Sequence, residues 1–141
     1  MDNNAMAQLL PKIIKLKGKA DITVSGISME PTLFEGDIVT IQKCDKYSIG
    51  DILVFNYKNE GILIHRLLHY NNRYFCKGDN TFRLEDVDFN KIIGKAVLVN
   101  GTPIPDWQEW KINLSYLVNR AFVKNRYDKT ETKKTSIYKG L

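Results

Sequence analysis

The sequence predicts a mainly β domain with one amphipathic helix at each end. The chain has 141 residues, of which 43% are hydrophobic and 26% are charged. This is enough apolar material for one compact core, and the chain is too short for two ordinary domains. Between Ile22 and Val99, short apolar runs are broken at close intervals by Gly, Asp and Asn, which is typical of strands and turns. On both sides of this region the apolar residues recur at helical spacing instead.

Residues 1–20 are predicted to form an amphipathic, basic N-terminal segment. Lysines lie between and after its helically spaced apolar residues, which are Met6, Leu9, Leu10, Ile13 and Ile14. Pro11 is expected to kink the helix or delay its start. A secretory signal peptide would carry its positive charges before the apolar run, so none is expected here. No stretch approaches the roughly 18 to 20 apolar residues that span a bilayer.

Residues 21–101 are predicted to form the β domain. Its candidate strands are 21–25, 37–42, 52–57, 61–70, 73–77 and 92–99. The pair Asn71-Asn72 lies between two apolar runs and suits a hairpin turn, since Asn tolerates positive φ.

The segment 102–125 is predicted to be the C-terminal helix. From about residue 106 its apolar residues are helically spaced, namely Trp107, Trp110, Leu114, Leu117, Val118 and Phe122. Residues 126–141 are then expected to be a basic, flexible tail.

The net charge of +5 is unevenly distributed along the chain. Residues 1–20 carry +3, residues 21–110 carry −4 and residues 111–141 carry +6. Basic ends favour polyanions, and an anionic membrane surface is one candidate partner. Nucleic acid is a less expected partner than a membrane. The simplest alternative is that the basic ends are solvated tails without a partner.

One serine stands in a motif that indicates chemistry. Ser28 lies in SGISMEPTL, where a glycine-containing turn and the following proline hold it on a rigid corner. Serines in turns are common, so this motif alone is weak evidence. Further motifs follow downstream in the chain: EGDIV, IGDILVF, LIHRL, KGDN and IIGKAV.

These six blocks, in this order over residues 25–98, closely resemble the catalytic domain of the type I signal peptidase superfamily. The resemblance implies a coiled β-sheet core that hydrolyses peptide bonds, typically to remove leader peptides after small residues. By the same resemblance, Ser28 is the nucleophile and His65 the general base. The usual bacterial branch and the self-cleaving SOS repressors have lysine where this chain has His65. The likeness is therefore most specific to the Ser-His branch, as in endoplasmic-reticulum and archaeal signal peptidases.

The proposed chemistry also follows from the residue types. A serine hydroxyl is a poor nucleophile until a base takes its proton, and neutral imidazole suits that task near neutral pH. The imidazolium then benefits from an acceptor on its other ring nitrogen. In the Ser-His branch this acceptor is an aspartate after KGDN, and spacing places it at Glu85 or Asp86. We prefer Asp86, then Glu85, with Asp88 third.

Asp79 belongs to the KGDN block itself. It is expected either to orient His65 or to cap its own turn, as aspartates often do. Lys77, which also belongs to this block, is interpreted as a turn lysine and not as the base.

The remaining site predictions concern residues 25–33 around Ser28, which we call the nucleophile loop. Main-chain N–H groups of Ile27 and Ser28 are the expected oxyanion donors. Gly26 replaces a hydroxyl residue found in many family members, and Ser25 is a candidate substitute donor. Gly26 and Met29 are expected to contact substrate, with Met29 also packing beside the cleft.

No metal, cofactor or disulfide is expected. Cys44 and Cys76 form no CxxC pair, and Cys76 is interpreted as a small core residue. His65 and His69 lie four residues apart on one strand, which separates them by more than about 13 Å and prevents a shared small metal site.

We therefore expect a serine endopeptidase that acts on a leader or precursor peptide and is either peripherally membrane-associated or cytoplasmic. The alternative is a self-cleaving or non-catalytic regulator that uses its basic ends to bind membrane or nucleic acid. The 27 residues before Ser28 contain no helix-turn-helix pattern, and this disfavours the DNA-binding repressor type.

Overall fold

The computed structural model describes residues 3–118 and has one eight-stranded antiparallel sheet, with one helix before its strands in the chain and one after them. The elements in chain order are α1 (Asn3–Lys17), β1 (Lys19–Thr23), β2 (Ile38–Gln42), β3 (Ile52–Asn56), β4 (Ile62–Tyr70), β5 (Tyr74–Lys77), β6 (Glu85–Val87), β7 (Ile92–Val99), β8 (Thr102–Pro103) and α2 (Glu109–Leu117). A short 3₁₀ turn, Phe89–Lys91, leads into β7. The predicted mainly β class is confirmed.

The strand order is β1-β2-β7-β3-β4-β5-β6, and β8 pairs with β7. The edge strands of this series are therefore β1, which precedes Ser28, and β6. Register shifts interrupt the β2–β7, β3–β7 and β4–β5 pairs. Such bulges bend and twist a sheet, which fits the coiled sheet expected from the sequence.

Each of the six predicted strands is present, with ends shifted by at most two residues. Two strands were not predicted. β6 has three residues, of which Glu85 and Asp86 are charged, and β8 has two residues and includes Pro103. Neither is long enough to show a hydrophobic alternation, so the sequence pattern does not reveal them.

Apolar residues cover both faces of the central strand β3. Ile52 and Val54 belong to one buried cluster, whereas Leu53 and Phe55 belong to another. Because successive side chains of a strand point to opposite faces, the two clusters lie on opposite sides of the sheet. We call the cluster that contains Val54 the helix-side core and the one that contains Phe55 the site-side core.

Helix α1 packs its apolar face onto the helix-side core. Leu10 is 1% exposed and Ile14 is 2% exposed within that cluster. Pro11 lies inside α1 and does not delay the start of the helix. The helix ends at Gly18, whose φ of 78° permits its N–H to donate to the carbonyl oxygen of Ile14 at 2.7 Å.

Helix α2 is held against β4 and the loop before β3. Ile112 is buried next to Gly50, where a Cβ atom would lie 3.0 Å from the Ile112 Cδ1 atom. The Tyr116 ring stacks on His69 with 4.7 Å between centroids. Of the predicted C-terminal helix, residues 119–125 lie outside the described part of the chain, as does the predicted tail 126–141.

Within residues 3–118, neither helix has the length and apolar character needed to cross a membrane.

The buried face of α1 gives a test of the fold. We expect Leu10→Ala to lower the free energy of unfolding by about 2–4 kcal/mol, because it leaves a cavity in the helix-side core. Leu16→Ala is the matched control on the same helix, since Leu16 is 86% exposed. Its effect should stay within about 0.5 kcal/mol. Urea unfolding curves of both variants measure the difference, and equal effects would contradict the packing of α1.

Candidate active site

The loop between β1 and β2 presents Ser28 at the end of a hydrogen-bonded frame. The N–H of Val24 donates to the Asp37 carbonyl at 2.8 Å, and the N–H of Gly36 donates to the Val24 carbonyl at 2.9 Å. Gly26 has a φ of 88°, a conformation that few residues other than glycine adopt. The loop therefore turns sharply just before Ser28.

Met29 and Leu33 anchor the other side of this loop. Both side chains are buried in the protein, and the N–H of Leu33 donates to the Met29 carbonyl at 2.9 Å. Met29 is therefore a packing residue, and its burial contradicts the expectation that it contacts substrate. Ile27, by contrast, is 39% exposed beside the nucleophile.

His65 connects Ser28 to an acidic residue. Its Nε2 atom lies 3.2 Å from the Ser28 Oγ atom, and its Nδ1 atom lies 2.7 Å from Oε1 of Glu85. A carboxylate at Nδ1 favours the tautomer with its proton there, and this leaves Nε2 free to accept the serine proton. All three residues are buried, and the Phe55 ring lies edge-on to the imidazole at 6.2 Å between centroids.

The acidic partner of His65 is Glu85, and the preference for Asp86 was wrong. β6 alternates buried, exposed, buried, so Glu85 and Val87 face the site-side core. Asp86 faces outward, where its carboxylate accepts a hydrogen bond from Arg73. Asp88, the third choice, also binds Arg73. The error arose because the sequence did not reveal the strand that turns Asp86 away.

Asp79 does not orient His65. Its two carboxylate oxygens accept hydrogen bonds from Nε and Nη2 of Arg66, each at 2.9 Å. Oδ2 also accepts a hydrogen bond from the Thr32 hydroxyl at 2.6 Å. Because Thr32 lies in the nucleophile loop, Asp79 fastens that loop to Arg66 on β4. Arg66 itself is fully buried, and its guanidinium stacks on the Trp107 ring at 3.9 Å.

The KGDN turn also holds the backbone of Ser28. The N–H of Asn80 donates to the Ser28 carbonyl at 2.9 Å, and the Asn80 side-chain amide donates to the Ile27 carbonyl at 3.1 Å. At Gly78, a Cβ atom would lie 2.6 Å from the Ser28 carbonyl oxygen, so only glycine fits there. The sequence identified this turn as a motif, but not as a support for the serine.

The predicted oxyanion donors differ from the neighbouring Gly26 in their hydrogen bonding. Among the residues that the structure describes, the N–H groups of Ile27 and Ser28 donate to no protein acceptor. The N–H of Gly26 is occupied, since it donates to the Glu35 carboxylate at 3.1 Å. Ser25 is exposed one residue earlier.

Lys77 is a buried ammonium near the site. Its Nζ atom donates to the Thr81 carbonyl at 2.7 Å. Burial lowers the pKa of Lys77 to about 8, although the nearby Asp79 and Glu85 carboxylates act in the opposite direction. Lys77 also lines a cavity of about 300 Å³ between the KGDN turn and α2. No side-chain hydrogen bond joins it to Ser28 within the described residues.

The other candidates are structural. Cys76 is buried in the site-side core, where burial, and then the charge of Glu85, raises the pKa of its thiol. Cys44 lies in a partly buried loop, and both cysteines are unpaired. His69 stacks between Phe75 and Tyr116. Within residues 3–118, no group of three His, Cys, Asp or Glu side chains is arranged to hold a metal ion.

A serine, a histidine and a carboxylate joined in this order have the nucleophile, base and orienting-acid geometry of the serine hydrolases. The family model described as Peptidase S24-like matches residues 8–97. The chain belongs to this family, whose fold includes both catalytic peptidases and self-cleaving repressors. The superfamily inferred from the motifs is thereby confirmed. No curated protein and no solved structure matches the chain significantly.

The burial of Lys77 predicts how the free energy of unfolding changes with pH. Its pKa is about 8 in the folded protein against 10.5 for an ordinary lysine. Between these pH values the unfolded chain binds the proton more strongly, so the free energy of unfolding rises with pH. Relative to Lys77→Met, the wild type should gain on the order of 2 kcal/mol from pH 8 to pH 10.5.

Urea unfolding of both proteins at several pH values in this window measures the difference, because ionisations common to both proteins cancel. Parallel curves for the two proteins would contradict the lowered pKa of Lys77.

Proposed function

We propose that this protein is a serine endopeptidase of the signal-peptidase type, which cleaves a leader or precursor peptide. The observation that carries the proposal is the chain of hydrogen bonds from Ser28 through His65 to the buried Glu85. Membership of the Peptidase S24-like family supports a serine peptidase at the coarser level. In this proposal Ser28 is the nucleophile, His65 the general base and Glu85 the carboxylate that orients it.

The reaction follows from this arrangement. His65 Nε2 takes the hydroxyl proton as the Ser28 oxygen attacks the scissile carbonyl, and Glu85 stabilises the imidazolium that forms. The N–H groups of Ile27 and Ser28 donate to the developing oxyanion. His65 then gives its proton to the leaving amine, which leaves an acyl-enzyme. A water molecule, deprotonated in turn by His65, attacks the ester carbonyl. His65 then returns the proton to the Ser28 oxygen as the bond to the acyl group breaks, which restores the serine and the neutral imidazole.

The site favours an extended peptide as substrate. Ser28 and His65 are buried, while Ile27 is exposed at the same edge. A peptide bond inside a folded protein would not reach a recessed serine, whereas an unstructured leader would. The resemblance to the Ser-His signal peptidases adds a preference for small residues before the cleaved bond.

A self-cleaving or non-catalytic regulator is the second candidate, because the Peptidase S24-like fold serves self-cleaving repressors as well as peptidases acting on other chains. The two functions differ in their substrate and not in the chemistry of the serine.

We also propose that the enzyme associates peripherally with an anionic membrane surface through α2. Trp110, Leu114 and Leu117 are 59%, 53% and 63% exposed. Their spacing of four and three residues places them on one helix face. Residues 111–141 carry a charge of +6, which complements anionic headgroups, and an exposed tryptophan suits the headgroup boundary. A polyanion such as nucleic acid would leave the apolar face uncovered.

The proposed catalytic roles are tested with a peptide library. Wild type and Ser28→Ala are incubated with the library, and new termini are identified by mass spectrometry. Cleavage is expected only with wild type. Identical cuts by both proteins would exclude Ser28 as the nucleophile. New termini from the protein itself, formed at a rate independent of protein concentration, would favour the self-cleaving regulator.

The choice between the two neighbouring acids is tested by a matched pair. Glu85→Gln should lower kcat/KM by roughly 10²–10⁴-fold, because the base loses its orienting charge. Asp86→Asn removes a charge one residue away that faces outward, and its kcat/KM should stay within about threefold of wild type. Equal losses in the two variants would contradict the role of Glu85.

Membrane association is tested by vesicle sedimentation with the Ser28→Ala protein. Binding to phosphatidylcholine vesicles should require added phosphatidylglycerol and should weaken as salt increases. The double variant Trp110→Ser, Leu114→Ser should bind at least about tenfold more weakly, because it loses apolar area at the surface. Leu16→Ser is the matched control, since it removes an exposed leucine from α1. Binding that is unchanged in the double variant would exclude α2 as the contact.

A further inference from the structure

Arg83 joins two carboxylates that come from distant parts of the chain. Its Nε atom donates to Oε2 of Glu85 at 3.0 Å. Its Nη1 and Nη2 atoms donate to the two oxygens of Glu60 at 2.8 and 2.9 Å. The guanidinium also lies over the Tyr57 ring, 5.4 Å from its centroid. Neither Arg83 nor Glu60 belongs to any of the sequence motifs.

The contact with Arg83 completes the hydrogen bonding of Glu85. That side chain is 0% exposed, so water does not solvate its charge. One oxygen binds His65 and the other binds Arg83. A buried carboxylate without such partners would be costly and would tend to take up a proton. Arg83 therefore gives the second oxygen of Glu85 a partner and fixes the direction in which its other oxygen points.

Glu60 in turn holds Arg83. It lies in the turn between β3 and β4, where its N–H donates to the Tyr57 carbonyl at 2.9 Å. A bidentate pair of this kind fixes a guanidinium in both position and plane. Burial would lower the pKa of Arg83, but the hydrogen bonds and charges of Glu60 and Glu85 outweigh it and raise that pKa.

The summed charge of Glu85, Arg83 and Glu60 is opposite to the charge that His65 gains when it accepts a proton. Glu85, Arg83 and Glu60 together carry −1, so the group becomes neutral when His65 gains a proton. Without Glu60 the sum with an imidazolium would be +1, and without Arg83 it would be −1. The strength of the base should therefore depend on both residues.

We propose that Arg83 and Glu60 are positioning residues that tune His65 through Glu85, an inference that rests on the proposed peptidase function. Two further ionisable residues interact electrostatically with Glu85, namely Cys76 and Lys77 on β5. They are unchanged in the variants below. Arg83 and Glu60 thus extend the active site from the sheet interior to the β3–β4 turn.

The direct test is an NMR titration of the imidazole resonances, which needs no substrate. The chain has two histidines, so His69 serves as an internal control for folding. Glu60→Gln removes a negative charge and should move the His65 titration midpoint down by about half a pH unit. Arg83→Gln removes a positive charge and should move it up by a similar amount. Arg83→Lys keeps the charge and should leave the midpoint close to wild type.

A matched control is available in the exposed ion pair of Arg73 with Asp86. Like Arg83→Gln, the Arg73→Gln variant replaces a positively charged guanidinium by a neutral amide, but Arg73 does not bind Glu85. The His65 midpoint should not move in this variant. Where Arg83→Gln fails to fold, which a collapsed His69 dispersion would reveal, Glu60→Gln and Arg83→Lys decide the question.

The activity measurement is the pH profile of kcat/KM on a cleaved library peptide. Its acid limb should move down in pH in Glu60→Gln, and the plateau should fall by no more than about threefold, because the base is weaker by about half a pH unit. Arg83→Lys should lose activity without moving the limb, since the fork that orients Glu85 is lost.

Shifts of opposite sign in the two charge variants support the proposal, because a loss of packing alone would not produce them. Unmoved midpoints, or midpoints that move in the same direction, would overturn it. A wild type that cleaves no peptide but shows the opposite NMR shifts would count against the peptidase function, and the electrostatic coupling would stand separately.

Discussion

The buried carboxylate of Glu85 is the constraint on which the arrangement of the site-side core depends. A charge in an apolar core needs partners at each of its oxygens, because the desolvation of an unpaired carboxylate costs several kcal/mol. His65 and Arg83 supply those partners from β4 and from the segment before β6. The same contacts fix the imidazole tautomer and its distance from Ser28. The contacts that stabilise the buried carboxylate are thus the same contacts that orient His65 toward Ser28.

Two neighbouring residues of β4, His65 and Arg66, face opposite sides of the sheet and make different contacts. His65 faces the site-side core, whereas Arg66 faces the opposite side and binds Asp79. Asp79 in turn holds Thr32, in the nucleophile loop. One strand therefore places the proposed base on one face and the residue that supports the Ser28 loop on the other. A shift of its register by one residue would exchange the two.

The sequence alone was sufficient to single out Ser28 and His65, which the structure places within hydrogen-bonding distance of each other, and to predict the general architecture. These depend on local motifs and on strands long enough to show a pattern. It was not sufficient for the acidic residue. Glu85 and Asp86 are neighbours, and only the pairing of β6 with β5 decides which one faces the core. Arg83 and Glu60 show no motif, since their relation to the site comes from folding that brings together residues 23 positions apart. The burial of Met29 likewise follows from tertiary packing around the loop.

The strand order also determines when the site can assemble while the chain is being synthesised. Ser28 follows the edge strand β1, and Glu85 lies on the opposite edge strand β6. Ser28 and His65 are 37 residues apart in sequence, and the contact between Asn80 and Ile27 spans 53 residues. Contacts of this range form late, after the loops between them have closed. A nascent chain that has not yet emerged as far as β6 thus lacks an assembled site, which postpones any reactivity of the serine until the sheet is complete.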